Sequence, residues 1–392
     1  MATGRLHIIE VTHHRDGTWS YIDLNRRLDE ASGPDGTIPS VARDSGLVAT
    51  GSGANGQRLS YVDIYGSVVE LINDGTWRGF RRLVTEDGIP AAGSGQLAAT
   101  SAAGPVAAGP VVYYLDAEYH VVRLEWSDED PGRWTHRTAS DAPAGSPASA
   151  LAALATGTHH CAYYVSGWHI IEVSWDADLT QGRTDLTSWV KGADEPNTAP
   201  YALSSLAATG FGSDGRRVFY PSQTGDLIAL VLDDDGTRRW EALDLTTESG
   251  ASVTATATPL AALSVVGDDG FENTRSRVFS LNESHELSAM SREENGWLPK
   301  VMTGAPSASP LSALACAADP YGDLEYTPFI DGFGHMITLL RTEKGWDWVD
   351  LSGELDLPEP VARSPLSAVV TESGAHLSYL TRETVPGGWS DR

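Results

Sequence analysis

Along residues 58–77 the apolar and polar positions change rhythm. From Ser60 to Ile64 they can alternate across one strand, and Val68 to Ile72 is almost continuously apolar. Between and after them, Tyr65-Gly66-Ser67 and Asn73-Asp74-Gly75 carry turn chemistry. The pattern predicts two short antiparallel strands, a further one opening at Trp77, and a preceding one at Leu47–Thr50. That is a four-stranded meander, and its rhythm returns along the whole chain.

Three features recur in step. Trp19, Trp77, Trp134, Trp189, Trp240, Trp297 and Trp346 stand 58, 57, 55, 51, 57 and 49 residues apart. A small-residue strand opens at Leu47, Leu97, Leu151, Leu206, Leu260, Leu311 and Leu366, at intervals of 50, 54, 55, 54, 51 and 55. Each of these leucines has Ser, Thr or Gly two positions earlier (Ser309 before Leu311, for example). A strand like Arg58–Tyr61 recurs at Val111, Cys161, Arg217, Arg277 and His376, with a degraded copy at Tyr326. Its return strand begins near His7, Ser67, His120, His169, Asp226 and His335, and more weakly at His285.

No ten-residue helical periodicity interrupts the series. A lone meander cannot bury both of its faces, so the units must pack on one another. The fold class is therefore all-β: a seven-bladed β-propeller with four antiparallel strands per blade. Small residues suit the crowded axis, and the tryptophan strands lie further out. Each end of the chain holds half a blade. Residues from about 365–383 and 5–25 complete the last one together, which closes the ring and removes two sheet edges. Residues 1–392 read as a single domain, with 384–392 a surface tail. The longest connecting loop is 25–44, with 141–147 and 196–200 smaller, and such loops are where function is added to a constant scaffold.

The charge narrows the partners. With 27 basic and 53 acidic residues the formal net charge is −26, which repels phosphate backbones and anionic membrane surfaces. Twelve tryptophans and thirteen tyrosines argue for a packed chain over an acidic disordered one. Cys161 and Cys316 are too few for a disulfide framework or a cysteine zinc site, and their apolar contexts predict buried free thiols. The N-terminus has no basic region followed by an apolar run, and no apolar stretch reaches the ~18 residues of a spanning helix. The expectation is a soluble chain, cytoplasmic or released without a signal peptide.

Candidate chemistry is sparse. His7, His120, His169, His285 and His335 fall on different blades and cannot converge on one metal; a turn or strand-start role fits them. His13-His14 and His159-His160 point apart on strands. The acidic runs 233–236 and 268–270 read as hairpin tips and lack calcium-loop spacing. Asp16-Gly17-Thr18-Trp19 and Asp74-Gly75-Thr76-Trp77 miss the sialidase Asp box, because Asp abuts Gly. No G-x-S-x-G, P-loop or H-E-x-x-H sequence occurs. The remaining candidate is Arg58 and Glu70 on neighbouring strands with Trp77 after them. A guanidinium and a carboxylate suit adjacent sugar hydroxyls, and an indole suits the C–H face of the ring. An interblade salt bridge beside a structural tryptophan is the other reading.

The R-[IVL]-x-[YF] strand, the I-x-E-L strand and a tryptophan after a D-G turn, repeated along nearly the whole chain, resemble the propeller lectins of fungi and bacteria. These include six-bladed fucose-specific lectins of Aleuria type and seven-bladed ones of Psathyrella and Photorhabdus type. The resemblance implies sites between adjacent blades, each holding a monosaccharide with Arg, Glu and an aromatic. Carried over, Arg58, Glu70 and Trp77 keep the full set. Glu10 and Trp19 pair with His376 in the arginine position, and Glu172 and Trp189 with His160 or Cys161. Arg217 and Arg277 meet Ala229 and Ser288 where the glutamate belongs. The copies with Val111 and Arg123, and with Tyr326 and Thr338, keep neither.

The expectation is a non-catalytic lectin with one to three pockets for a fucose-like or other glycan terminus, acting multivalently on glycans or glycoconjugates. It implies no cofactor and no metal. Two other readings stay open: a propeller that binds protein through its faces and loops, and an enzyme that uses the central channel.

Overall fold

The computed structural model describes residues 5–32, 37–52, 56–83, 88–100, 110–126, 134–156, 159–176, 181–190, 199–200, 204–211, 215–232, 239–252, 254, 258–267, 270–293, 296–319 and 324–382. The expected tail at 384–392, the loop at 196–198 and the acidic run 233–236 lie outside them, as do residues 268–269 of the second acidic run.

Seven four-stranded antiparallel sheets form a ring. Blade 1 joins Leu366–Thr371 and Gly374–Arg382 to Leu6–His14 and Trp19–Asp23, innermost strand first. The seam runs from Leu6 opposite Arg382 to His14 opposite Gly374. Blades 2 to 7 span 47–83, 92–138, 151–185, 207–244, 261–301 and 317–350. First strands of neighbouring blades contact each other all the way round, so they surround the axis. Antiparallel order puts the first–second and third–fourth hairpins on one face of the ring. The second–third hairpins and the links between blades share the other.

Side-chain hydrogen bonds explain the repeated residues. In blades 1, 2, 4 and 6 the hydroxyl before the inner strand accepts the N–H of a residue late in the second strand. Ser45 does so from Val62, Ser149 from Val165, Thr258 from Leu281 and Ser364 from Leu380, at 2.7–2.9 Å. The tyrosine late in the second strand buries its ring and donates to a proline carbonyl in the link before its blade. Tyr61, Tyr114, Tyr164 and Tyr379 reach Pro39, Pro90, Pro143 and Pro358. In blade 7 the clamp is Ser312, which accepts from Ile330, so the repeat's leucine is Leu314, 8% exposed. Leu311 is 46% exposed and lies three residues too early. An exposed leucine cannot anchor an inner strand.

In blades 2, 3, 5, 6 and 7 the second–third hairpin turns on a side chain that accepts two backbone N–H groups. Asp63 takes those of Tyr65 and Ser67, and Asp331 those of Phe333 and His335. One residue in each such turn is left-handed: Gly66, Tyr119, Gly225, His285 and Gly334 have φ between 60° and 89°. His285 thus holds the turn position, and Glu286 corresponds to His120. The slip moves the glutamate position of blade 6 from Ser288 to Ala289, which pairs with Phe279 as Glu70 pairs with Ser60. Most of the other regular histidines anchor strand starts to acids: His7 to Asp23, His120 near Asp116, and His335 near Asp350.

Helices also appear where a loop was expected. Leu24–Ser32 follows the outer strand of blade 1, with Leu24 and Leu28 buried and Asp23 accepting the Arg26 N–H. Asp185, Asp244 and Asp350 cap shorter helices in the same way, each followed by a buried leucine.

Candidate functional site

Alternation along each strand decides which groove a side chain enters. The arginine position of the second strand and the glutamate position of the third face the next blade. That blade answers with the residue just before its own arginine position, the end of its third strand and the start of its fourth. Each groove therefore mixes two blades, and tryptophans meet the glutamate of the blade before.

Trp77 accordingly lies with Glu10, not with Glu70, and its Nε1 donates to Glu10 Oε1 at 3.0 Å. Gln57 donates to the other oxygen at 2.7 Å, and His376 Nδ1 stands 3.4 Å from the first. The second ring nitrogen of His376 meets Ser373 and Thr371. In the groove between blades 1 and 2 both oxygens of the carboxylate are engaged. Trp19 instead sits in the groove between blades 7 and 1, stacked on His13 with ring centres 4.2 Å apart and edge-on to Tyr326.

Between blades 4 and 5, Glu172 Oε2 accepts from Tyr163 at 2.8 Å and from Arg216 at 2.9 Å. Arg216 comes from the far side of the groove, while Cys161, in the arginine position, is a thiol that burial keeps protonated. Trp189 does not belong to the fourth strand. Gln181 opposite Trp175 occupies that place, and Trp189 ends the short helix Leu186–Trp189. The side chain of Trp189 lies outside the described residues.

In blades 5 to 7 the charges are redistributed. Arg217 meets Ser276 and the Trp297 ring. Arg277 and Arg341 both pair with Glu325, which stands just before the degraded Tyr326.

The groove between blades 2 and 3 is different. Glu70 is fully buried, and its Oε2 accepts from Trp134 Nε1 at 3.2 Å. Its Oε1 has no hydrogen-bond partner, and Arg58 Nη1 stands 4.0 Å away, too far to bond. The Arg58 guanidinium lies 5.4 Å from the centre of the Trp126 ring, and that of Arg81 lies 4.9 Å from it. Arg58 keeps 16% of its side chain exposed and comes within 3.6 Å of Asp74. Burial pushes the Glu70 carboxyl above the usual carboxylate range, with Arg58 and the Trp134 bond holding it back in part. The resulting site has a donor and an acceptor facing each other across a gap, beside an indole. Trp126 and Arg81 were missed in sequence because slots were compared within blades. The signal that identifies them is their position one blade on, or one strand out, from Glu70.

No family model matches this chain, and no curated protein does either. Solved structures do. The chain aligns with AofleA from Arthrobotrys oligospora at TM-score 0.55 and 12% identity, over 88% of this chain and 91% of that one. SapL1 lectin in complex with alpha methyl fucoside aligns at TM-score 0.53 and 19% identity, over 79% and 96%. The six-bladed fucose-recognising lectin of Aleuria aurantia gives 0.53 and 18%, over 79% and 96%. The likeness is to propeller lectins, and it is one of fold. The seventh blade sets this chain apart from the six-bladed lectin. Among the described residues no group of three or more His, Cys, Asp or Glu side chains is placed to hold a metal.

Proposed function

We propose that the chain is a non-catalytic carbohydrate-binding propeller whose sugar site is the groove between blades 2 and 3. The observation that carries this reading is the unpaired Glu70 Oε1 facing Arg58 Nη1 across 4.0 Å. A hydroxyl placed there accepts from the guanidinium and donates to the carboxylate, so both charged groups gain a bond that they cannot make with each other. Neighbouring hydroxyls of a fucose-like or other terminal sugar have this dual character, and Trp126 offers the apolar edge that their ring carbons need. The fold likeness to lectins seen with fucosides supports the same class of ligand.

The innermost strands, among the described residues, carry no ionisable side chain, which argues against chemistry in the central channel. A protein-binding role draws on a different observation. Tyr65, Trp168 and Phe333 are exposed at second–third hairpins of blades 2, 4 and 7, all on the face of the ring that carries the links between blades.

A glycan array with the full chain tests the proposal. Binding to a fucosylated or related terminus, lost in Arg58→Ala and in Glu70→Gln, is the expected result. Silence across the array, or signal that survives both substitutions, refutes it.

A further inference from the structure

The groove between blades 3 and 4 has lost both residues of the lectin pattern: Val111 stands in the arginine position and Arg123 in the glutamate position. Five buried polar atoms there have no hydrogen-bond partner: Arg123 Nε and Nη1, Tyr113 Oη, Trp175 Nε1 and His160 Nδ1. The four residues are between 0% and 8% exposed. They form one cluster. The Arg123 guanidinium lies 5.5 Å from the centre of the Trp175 ring, and the Tyr113 and Trp175 rings are 5.7 Å apart. Tyr113 is opposite Arg123 on one ladder, and His160 opposite Trp175 on the other. Unpaired buried donors are costly, and native interiors rarely keep several together.

The next groove shows what is missing. Position for position, Tyr113, Arg123 and His160 correspond to Tyr163, Glu172 and Arg216. In that groove the tyrosine and the arginine both donate to the central carboxylate. Between blades 3 and 4 the central acceptor has been replaced by another donor. Glu125 reaches only Nη2 of Arg123, at 3.1 Å, from a side chain that is one-fifth exposed. Trp175 Nε1 and the remaining guanidinium N–H groups can only donate, and the tyrosine hydroxyl is free to do so. His160 is held near a pKa of about 4 by burial, with Arg123 and His159 adding to the effect, so at neutral pH it is uncharged.

We propose that the groove between blades 3 and 4 binds a small carboxylate-bearing ligand, whose oxygens take the place that the Glu172 carboxylate holds in the next groove. A carboxylate accepts from several donors at once and brings the charge that a neutral hydroxyl lacks. Entry is from the side of Glu125 and His160, where the cluster comes nearest to solvent. The site differs in chemistry from the one next to Glu70, and it stands whether or not that groove takes sugar.

The test is calorimetric titration of the full chain at neutral pH and fixed ionic strength with acetate, glucuronate and acetamide. Saturable one-to-one binding of acetate or glucuronate is expected, and their ratio separates a free carboxylate from an acidic sugar. Tyr113→Phe should weaken it roughly ten-fold, the worth of one charge-assisted hydrogen bond. The double substitution Arg123→Glu with His160→Arg rebuilds the neighbouring triad. It should abolish binding while keeping the melting temperature, which separates loss of the site from loss of the fold. No saturable binding of either carboxylate, equal binding by the double variant, or acetamide binding as well as acetate overturns the proposal. Any of the three leaves ordered water as the partner of the five atoms.

Discussion

The grooves between blades 2 and 3 and between blades 4 and 5 are built from the same parts, yet only in the second does the guanidinium bond the carboxylate. Each has a buried glutamate in the third strand, a guanidinium, and an aromatic donor on the carboxylate. Arg216 approaches Glu172 from across the groove and bonds it at 2.9 Å. Arg58 stands on the same blade as Glu70, and its guanidinium meets the Trp126 ring, leaving a 4.0 Å gap. The side from which the guanidinium arrives decides whether an Arg–Glu pair staples two blades or leaves a buried carboxylate oxygen unpaired.

The largest effect should come from breaking the closed pair. Arg216→Ala leaves the Glu172 carboxylate buried without its cation and should cost about 3–5 kcal/mol, read from urea unfolding at unchanged m-value. Arg58→Ala removes a guanidinium that does not bond Glu70 and should cost only about 1 kcal/mol. Equal costs would erase the distinction between the grooves. For binding the order reverses. Glu70→Gln should weaken a glycan that binds the chain by at least about ten-fold, whereas Glu172→Gln should leave its affinity unchanged.

Acidity sharpens the contrast further. The Glu70 pKa is raised in the fold, so its stability contribution is complete below the ordinary carboxylate range and is lost as pH rises through the raised value. The stability advantage of Glu70→Gln over the wild type should therefore grow with pH. The proposed sugar binding at Glu70, if it uses the ionised acceptor, should fall on acidification before an ordinary carboxylate would titrate. His160 has the opposite sign. Its contribution is present above the ordinary histidine range, near pH ~6.5, and is lost as pH falls toward about 4. A His160→Gln chain should show a flatter melting temperature across that window. Trp134→Phe, which removes the one hydrogen bond to Glu70 and part of a buried ring, should cost about 1–3 kcal/mol in the same urea titration.

Seven blades, four strands each and the shared blade 1 were legible because leucine and tryptophan spacings report a period without needing exact register. Sites need the register. A slip of one residue turns a strand side chain toward the opposite groove, so taking Ser288 for Ala289 changed which blade it faced. The slip arose because His285 adopts the left-handed turn position that glycine holds in other blades. Trp189 kept the interval of a strand tryptophan although its strand has Gln181 there, with Trp175 filling the interior. Trp77 was assigned to the glutamate of its own blade because a sequence shows neighbours along the chain, whereas grooves join neighbours around the ring. The recurring Asp–Leu pairs that start the helices were present in the sequence and passed unread.

The seam of blade 1 sets how the ring yields to force. Leu6 and Arg382 face each other at one end of the ladder, and His14 and Gly374 at the other. Tension applied through the two ends of the chain therefore loads the Leu6–Arg382 rung first and opens the seam rung by rung, as a zipper opens. It does not shear all rungs together. Pulled in this way, the propeller should open at low force at blade 1, however firmly its buried ion pairs hold the other blades.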